Sequence, residues 1–394
     1  MVKVNLTNDI YWVGAIDWNL RDFHGYITSR GSTYNSYLIL DEKVALVDTV
    51  KHLFSSDLIA HINEIISFEK IDYIIVNHVE MDHSSSLPMI VKLAKNATII
   101  ASERGKDAIV EHYGSDLTIK TVKNGDEIKL GKHTLKFLEA PMLHWPDSMF
   151  TYIAEDKILM SNDAFGQHLA SAGRFDDEVD DHILMEEASK YYANILMLFG
   201  PLVARKIQEI IQLGIPIETI APSHGIIWRK DPSKIIKAYL DWSAGKAKKK
   251  IAIVFDTMWG STDKMARAIA EGAISQGVEV KMLKLRASDN SESLTEILDA
   301  KAVLVGSPTL NNGMFPTLGS FMTYAVGLKP KDKLWSFFGS FGWGGGAVRN
   351  MAEMAKKAGF GVHEPGLEIK YVPDEEDLKK CFEFGKQIAE EINK

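Results

Sequence analysis

One cysteine stands in 394 residues, Cys381, near the C-terminal end. No internal disulfide can form, and no CxxC pair exists to hold an iron–sulfur cluster or a four-thiolate metal. Such thiol poverty fits a reducing compartment, and a cytoplasmic location is the expectation. Long apolar runs are missing too. None approaches the roughly 20 residues that span a bilayer, so no membrane partner is expected. Asn5, Asn8 and Asp9 interrupt the first apolar stretch, which is read as lacking a signal peptide. Excess positive charge is absent: the formal net charge is −8, and the one basic run is KAKKK at 246–250. Nucleic acid is therefore not an expected partner. Neither a GxxxxGK[ST] phosphate loop nor a well-placed GxGxxG fingerprint occurs, which argues against ATP and NAD(P).

What is present is an ordinary globular composition, 46% hydrophobic and 25% charged, in a chain too long for one core. The boundary is expected in AGKAKKK, 244–250, giving domains 1–247 and 248–394. The second alternates strand and helix. Strands read at 251–255, 278–285, 301–306, 333–339 and 366–371, with helices at 262–275, 292–298, 316–327, 346–358 and 375–392. Near-continuous apolar strands separated by helices predict an α/β fold with a doubly wound parallel sheet. The first domain is richer in hairpins. SYLILDEKVALVDT (36–49) and FTYIAEDKILMSND (150–163) share one layout, and each ends on an acidic residue, Asp48 or Asp163. The echo is either a pseudo-repeat of two half-sheets packed face to face or a coincidence of common hairpins.

The chemistry concentrates in NHVEMDHSSS, 77–86, just after the apolar run IDYIIV. It packs His78, Glu80, Asp82 and His83 into six residues. Three more ligand-type residues also follow strands: His144 in EAPMLHWPD, Asp163 after 157–161, and His224 in APSHG. Alone, His144 or His224 reads as an ordinary structural histidine. Loops leaving one end of a layered sheet converge, however, and four imidazoles with three carboxylates suit two metals at shared ligation. With no thiolate, the mixed set favours iron, then manganese, over zinc. Charge agrees, because two ferrous ions are neutralised by three carboxylates and a bridging hydroxide, and a neutral cluster tolerates burial.

The second domain offers a flavin-type site on three loops at the carboxyl ends of its strands. In DTMWGSTDKMA the hydroxyls of Thr257, Ser261 and Thr262 accompany the amides of Met258, Trp259 and Gly260 into a helix start, a monophosphate site. GSPTLNNG supplies Ser307, Pro308, Thr309 and Leu310, with Asn311 and Asn312 suited to a pyrimidine edge. GSFGWGGGA supplies Ser340, Phe341, Gly342, Trp343, Gly344 and Gly345, with Phe341 or Trp343 suited to a ring face. The ligand expected is FMN.

The pattern H-x-E-x-D-H at 78–83, followed by His144, Asp163 and His224, resembles the flavodiiron protein family, and the likeness runs along essentially the whole chain. It implies an αββα metallo-β-lactamase-like sandwich followed by a flavodoxin-like domain. Zinc hydrolases of that sandwich carry histidine where Glu80 stands, so a dizinc hydrolase with an accessory flavodoxin domain is the rival. By the resemblance, His78, Glu80 and His144 would hold one iron and Asp82, His83 and His224 the other. Asp163 would bridge the pair, which also shares an oxo or hydroxo group. The implied activity is reduction of O2 to water, of NO to N2O, or both, with FMN passing on electrons from an external donor, rubredoxin or F420H2. His24 and Tyr26 lead as proton donors, ahead of His168, Tyr191 and Tyr192. A head-to-tail homodimer is implied, with a homotetramer as the larger assembly.

Overall fold

The computed structural model describes residues 4–394, so the first three residues of the expected N-terminal domain lie outside the described residues. The chain divides into two compact units. One runs to Tyr191 and takes in Pro201–Leu240; the other joins Tyr192–Gly200 to Asp241–Lys394. Residues 192–200 fall with the second unit because Asn194 hydrogen-bonds there: its amide donates to Ser291 O (3.2 Å) and Tyr324 Oη donates to its Oδ1 (2.9 Å).

The first unit is built on a seven-stranded and a five-stranded sheet. In the larger, Ile71–Val76 runs parallel to both neighbours, Val44–Val47 and Thr98–Ala101. A strand flanked on both sides and covered on both faces must be apolar almost throughout, as IDYIIV is. The smaller sheet runs from Glu127–Lys129 through Thr134–Glu139, Met149–Ile153 and Ile158–Asn162 to Thr219–Pro222. Alternation sorts the side chains into layers. Ile10, Tyr37, Ala45, Val47 and Ile75 of the larger sheet meet Leu135, Phe137, Met149, Ile158 and Met160 of the smaller in one buried core. The opposite face of the larger sheet buries Leu46, Ile74, Val76 and Ile99 against Leu58 and Ile62, Leu87 and Ile90, and Ile109 from three helices. This is the expected sandwich with helices outside.

Ligand placement follows from strand direction. Thr134–Glu139 and Ile158–Asn162 are each antiparallel to the strand between them, and Thr219–Pro222 is parallel to Ile158–Asn162. All three therefore point the same way, and the loops bearing His144, Asp163 and His224 leave one edge. Met149 N donates to Asn77 O (2.9 Å), which ties that edge to the loop after Ile71–Val76.

The second unit is a parallel sheet in the order Glu279–Lys284, Lys248–Phe255, Ala300–Gly306, Leu334–Phe341, with Gly361–Val362 and Leu367–Lys370 both pairing with the last of these. This is the doubly wound topology with its switch point beside the first strand. Helices Ser261–Ile274 and Glu375–Asn393 cover one face, burying Met265, Ile269, Phe384 and Ile388. They touch through glycines: a Cβ on Gly272 would lie 1.9 Å from Phe382 O, and one on Gly385 2.0 Å from Ile269 O.

Candidate metal centre and flavin pocket

The seven residues expected to ligate metal meet in two adjoining groups. His78, Glu80, His144 and Asp163 form one, and Asp82, His83 and His224 the other; within each, one ligand atom per residue lies within 4.8 Å of the rest. All seven are buried. Asp82 and His83 ride on a single helical turn, Met81–Ser84, rather than on an irregular loop. Asp163 lies between the groups: Oδ2 is 3.2 Å from His144 Nε2 and 3.5 Å from His78 Nε2, while Oδ1 is 3.0 Å from His83 Nε2 and 3.6 Å from His224 Nε2. His78 Nε2, His224 Nε2, both oxygens of Asp82 and Asp163 Oδ2 are buried without a hydrogen-bond partner. Buried lone pairs left unmatched and converging are what a cation satisfies. The donor set thus fits two metal ions, with no thiolate among the ligands.

Electrostatics point the same way. Burial pushes the Glu80 carboxyl upward, but His144, His24 and His78 together hold it well below the carboxylate range. Asp163 is likewise depressed against its burial, chiefly by the His83 charge and by His144. Burial works against the charged forms of His83 and His144, yet the facing carboxylates lift each to about 9. In this set, protons stand where cations would.

The surrounding shell fixes the imidazoles. His78 Nδ1 lies 2.9 Å from Asp147 Oδ2, which also accepts from Val79 N (2.7 Å). His224 Nδ1 donates to Thr33 O (2.7 Å). Such partners set the tautomer and make the metal-facing nitrogen a better donor. Gly225, φ +76°, follows His224; a Cβ there would collide with Gln167 Oε1 at 1.6 Å. Asp48 braces the loops from below: Oδ1 accepts from Asn77 N (2.8 Å), and Oδ2 from Asn77 Nδ2 (3.2 Å) and Asn162 Nδ2 (3.3 Å). Each asparagine immediately precedes a metal-facing residue. Sequence reasoning did not assign these duties to Asp48 and Asp147. The one visible signal, for Asp48 alone, is the acidic end of its hairpin, 36–49.

His24 and Tyr26 part company. His24 sits at the tip of a two-residue turn, His24–Gly25, with both φ positive, joining Asp22–Phe23 to Tyr26–Ile27. Its Nε2 is 2.5 Å from Glu80 Oε1. Tyr26 is fully buried one layer back, its ring 5.4 Å from that of His168. His168 in turn is 5.2 Å from Tyr191 and 4.7 Å from His224. Tyr192 lies in the other unit.

In the second unit a cavity of about 580 Å³ opens at the carboxyl ends of the strands. Met258, Trp259, Ser261, Pro308 to Asn312, Ser340 to Gly344, and also Tyr371 and Val372, line it. The last two were not expected; they follow strand Leu367–Lys370 and carry no motif. No side chain caps helix Ser261–Ile274, whose N-cap is Gly260 at φ +92°, so its first amides are free for an anion. Asn311 and Asn312, both at positive φ, form the tip of a tight turn closed by Leu310 and Gly313. Thr257 and Gly260 line a neighbouring cleft. Thr262 and Ser307 are buried with occupied hydroxyls: Thr262 Oγ1 is 2.9 Å from Ser340 Oγ, and Ser307 Oγ donates to Pro308 O (2.9 Å). Gly345 is exposed outside the lining. Cavity size, apolar walls and an anion-ready helix start fit a flavin mononucleotide.

Among the described residues no helix is long and apolar enough to cross a membrane. Residues 33–225 match the family model of the ODP family beta lactamase, and 253–385 match that of flavodoxin. A nitric oxide reductase of Moorella thermoacetica is 51% identical over 393 residues, covering 99% of this chain and 98% of that protein. The structure of the rubredoxin oxygen:oxidoreductase of Desulfovibrio gigas superposes with TM-score 0.97 at 38% identity, over 99% of this chain and 98% of that one. The flavodiiron protein of Giardia intestinalis superposes with TM-score 0.95 at 37% identity, over 99% and 96%. With relatives this alike along its whole length, the chain belongs to the flavodiiron protein family.

Proposed function

We propose that this protein is an oxidoreductase that reduces O2 to water, NO to N2O, or both, at a diiron centre fed by FMN. The observation that carries the reading is the pair of buried ligand groups joined at Asp163, with Glu80 where a zinc hydrolase has histidine. A hydrolase is not favoured, since two of the relatives reported above are named a nitric oxide reductase and a rubredoxin oxygen:oxidoreductase. When bound, the irons and FMN supply the electrons and the open coordination positions for the gas. His78, Glu80 and His144 are assigned to one iron, Asp82, His83 and His224 to the other, and Asp163 to both. Asp147 and Thr33 hold two of the imidazoles in their tautomers. His24, whose Nε2 lies 2.5 Å from Glu80 Oε1, and Tyr26, buried behind it, are assigned as the proton donors. The walls bury the site, which keeps bulk water from the reacting gas.

Residues 1–247 are assigned to the diiron domain and 248–394 to the FMN domain. The FMN contacts are assigned to the three loops at 257–262, 307–312 and 340–345. The donor is assigned as an external protein such as rubredoxin, in line with the name of the Desulfovibrio relative. A head-to-tail dimer in the cytoplasm completes the reading, one subunit's flavin serving its partner's irons. The test is direct. Protein verified to hold FMN and two irons per chain is reduced without air, and O2 and NO consumption are followed on electrodes. Rapid loss of either gas is expected, and the ratio of rates names the preferred one. Loss of neither from fully loaded protein overturns the proposal.

A further inference from the structure

Reduction of either gas consumes protons: O2 + 4 H+ + 4 e− gives 2 H2O, and 2 NO + 2 H+ + 2 e− gives N2O + H2O. The centre is buried, so those protons need a route. Among the described residues, few buried polar side-chain atoms outside the ligand set lack a hydrogen-bond partner. Three of them, Thr28 Oγ1, His168 Nε2 and Glu187 Oε2, lie on segments stitched together on one side of the centre. Ser32 Oγ is 2.7 Å from His168 Nδ1, Ala170 N donates to Arg30 O (2.9 Å), and Arg30 Nε donates to Glu187 Oε1 (2.9 Å). Glu187 and Tyr191 share the buried face of helix Asp181–Tyr191, one turn apart, where side chains are neighbours. Tyr191 and His168 continue the line toward the centre, their rings 5.2 Å apart and the His168 ring 4.7 Å from that of His224; at such separations a proton passes between their polar atoms only through intervening water. At the outer end, Arg30 is 40% exposed and lines a surface cleft of about 440 Å³.

We propose that Glu187 is a proton-relay residue, carrying protons from the Arg30 cleft through ordered water to Tyr191 and His168, and so to gas bound at the metal centre. The proposal rests on the function assigned above. A buried carboxylate oxygen without a partner is costly, and so are the orphans on Thr28 and His168. Water threaded between them satisfies all three and forms a proton wire. The groups facing Glu187 are Lys190 and Glu186 on its own helix and Arg30 opposite. Burial raises its carboxyl above the usual range, Lys190 and Arg30 pulling the other way. A carboxyl so raised exchanges protons more readily near working pH. In the step itself Oε2 accepts a proton from water on the cleft side, and the resulting O–H donates it to water on the inner side. One O–H bond forms and one breaks at Glu187, and no electron moves.

Glu187 could serve the fold alone, as the ion-pair partner of Arg30, and Glu187→Gln separates the two roles because an amide oxygen still accepts from Arg30 Nε. Holoenzyme of each variant, matched for FMN and iron, is assayed for O2 and NO consumption across pH, in H2O and D2O. For E187Q the expected result is a fall in kcat of about a hundredfold or more. The solvent isotope effect rises, while metal content, melting temperature and anaerobic flavin reduction stay unchanged. Glu187→Asp recovers most of the rate, and Thr28→Val shows a smaller fall with the same isotope signature. Glu186→Gln, on the exposed side of the same ion pair, behaves as wild type. An E187Q enzyme with wild-type rate, pH profile and isotope effect overturns the relay. So does a slow E187Q enzyme whose isotope effect is unchanged and whose iron or melting temperature has dropped. Wild-type holoenzyme inert toward both gases overturns the function itself, and the relay with it.

Discussion

Asp163 presents its two carboxylate oxygens to different neighbours, one to His78 and His144, the other to His83 and His224. Among the described residues of the two ligand groups, no other side chain is shared in this way. Asp163→Asn keeps the shape and removes the charge, so both metals are expected to be lost together. Asp147→Asn acts at a distance, freeing the His78 ring, and is expected to weaken metal binding about tenfold to a hundredfold, chiefly at the group holding His78. Metal analysis of purified variants, with competition by a chelator, checks both: unequal loss in D163N or full occupancy in D147N would contradict them. The ligands themselves were legible because H-x-E-x-D-H is compact and each remaining ligand follows a strand within a few residues. Asp147 and Asp48 were not, because their partners lie far off in sequence. Asp147 serves His78 from 69 residues away, and Asp48 serves Asn162 from 114. Only folding shows such pairs.

Elements were legible where a single period governed them. The parallel strands and helices of the second unit lie within a few residues of expectation, since apolar strands and amphipathic helices each write their own pattern. The turns that aim chemistry were less so. His24–Gly25 and Asn311–Asn312 are left-handed tips whose geometry depends on the pairing of the residues that flank them, a two-stranded ribbon for the first and the Leu310–Gly313 bridge for the second. Turns also hold the far side of the sandwich. Asp41 accepts from the amides of Lys132 (3.0 Å) and His133 (2.7 Å), and lies 2.8 Å from the His133 ring. Burial opposes its charge, but these donors hold the carboxyl at about 2, below the ordinary 3.8. The folded state therefore binds fewer protons than the unfolded between those values. The clasp contributes fully above the ordinary value and is lost as pH falls through the folded one. Asp41→Asn should flatten that part of a urea-midpoint profile against pH; an unchanged slope would dismiss the clasp. The glycine contact between the two long helices gives a second test. Gly385→Ala drives a methyl into Ile269 O and should cost about 1–3 kcal/mol, seen as a lower melting temperature with the FMN cavity residues untouched.

For the whole molecule, the proposed head-to-tail dimer is what can be tested. If one subunit's FMN domain serves its partner's irons, turnover depends on the dimer, and activity per chain is expected to fall on dilution through the dissociation range. Sedimentation and activity should then show the same midpoint. Full activity in a monomer would end the head-to-tail reading. Composition and alternation made two α/β units legible, but how residues 192–200 would divide was not, because Asn194 carries no pattern that names its partners. Two side chains at the flavin cavity have a consequence of a different kind. Trp259 and Trp343 are 91% and 93% exposed at its rim, whereas Trp228 and Trp335 are sealed in cores. Solvent-bathed indoles emit at longer wavelength than buried ones, and a flavin seated beside them drains their excited state. The protein thus carries its own optical gauge: tryptophan emission dims as each molecule of flavin seats, and it brightens again as the flavin departs.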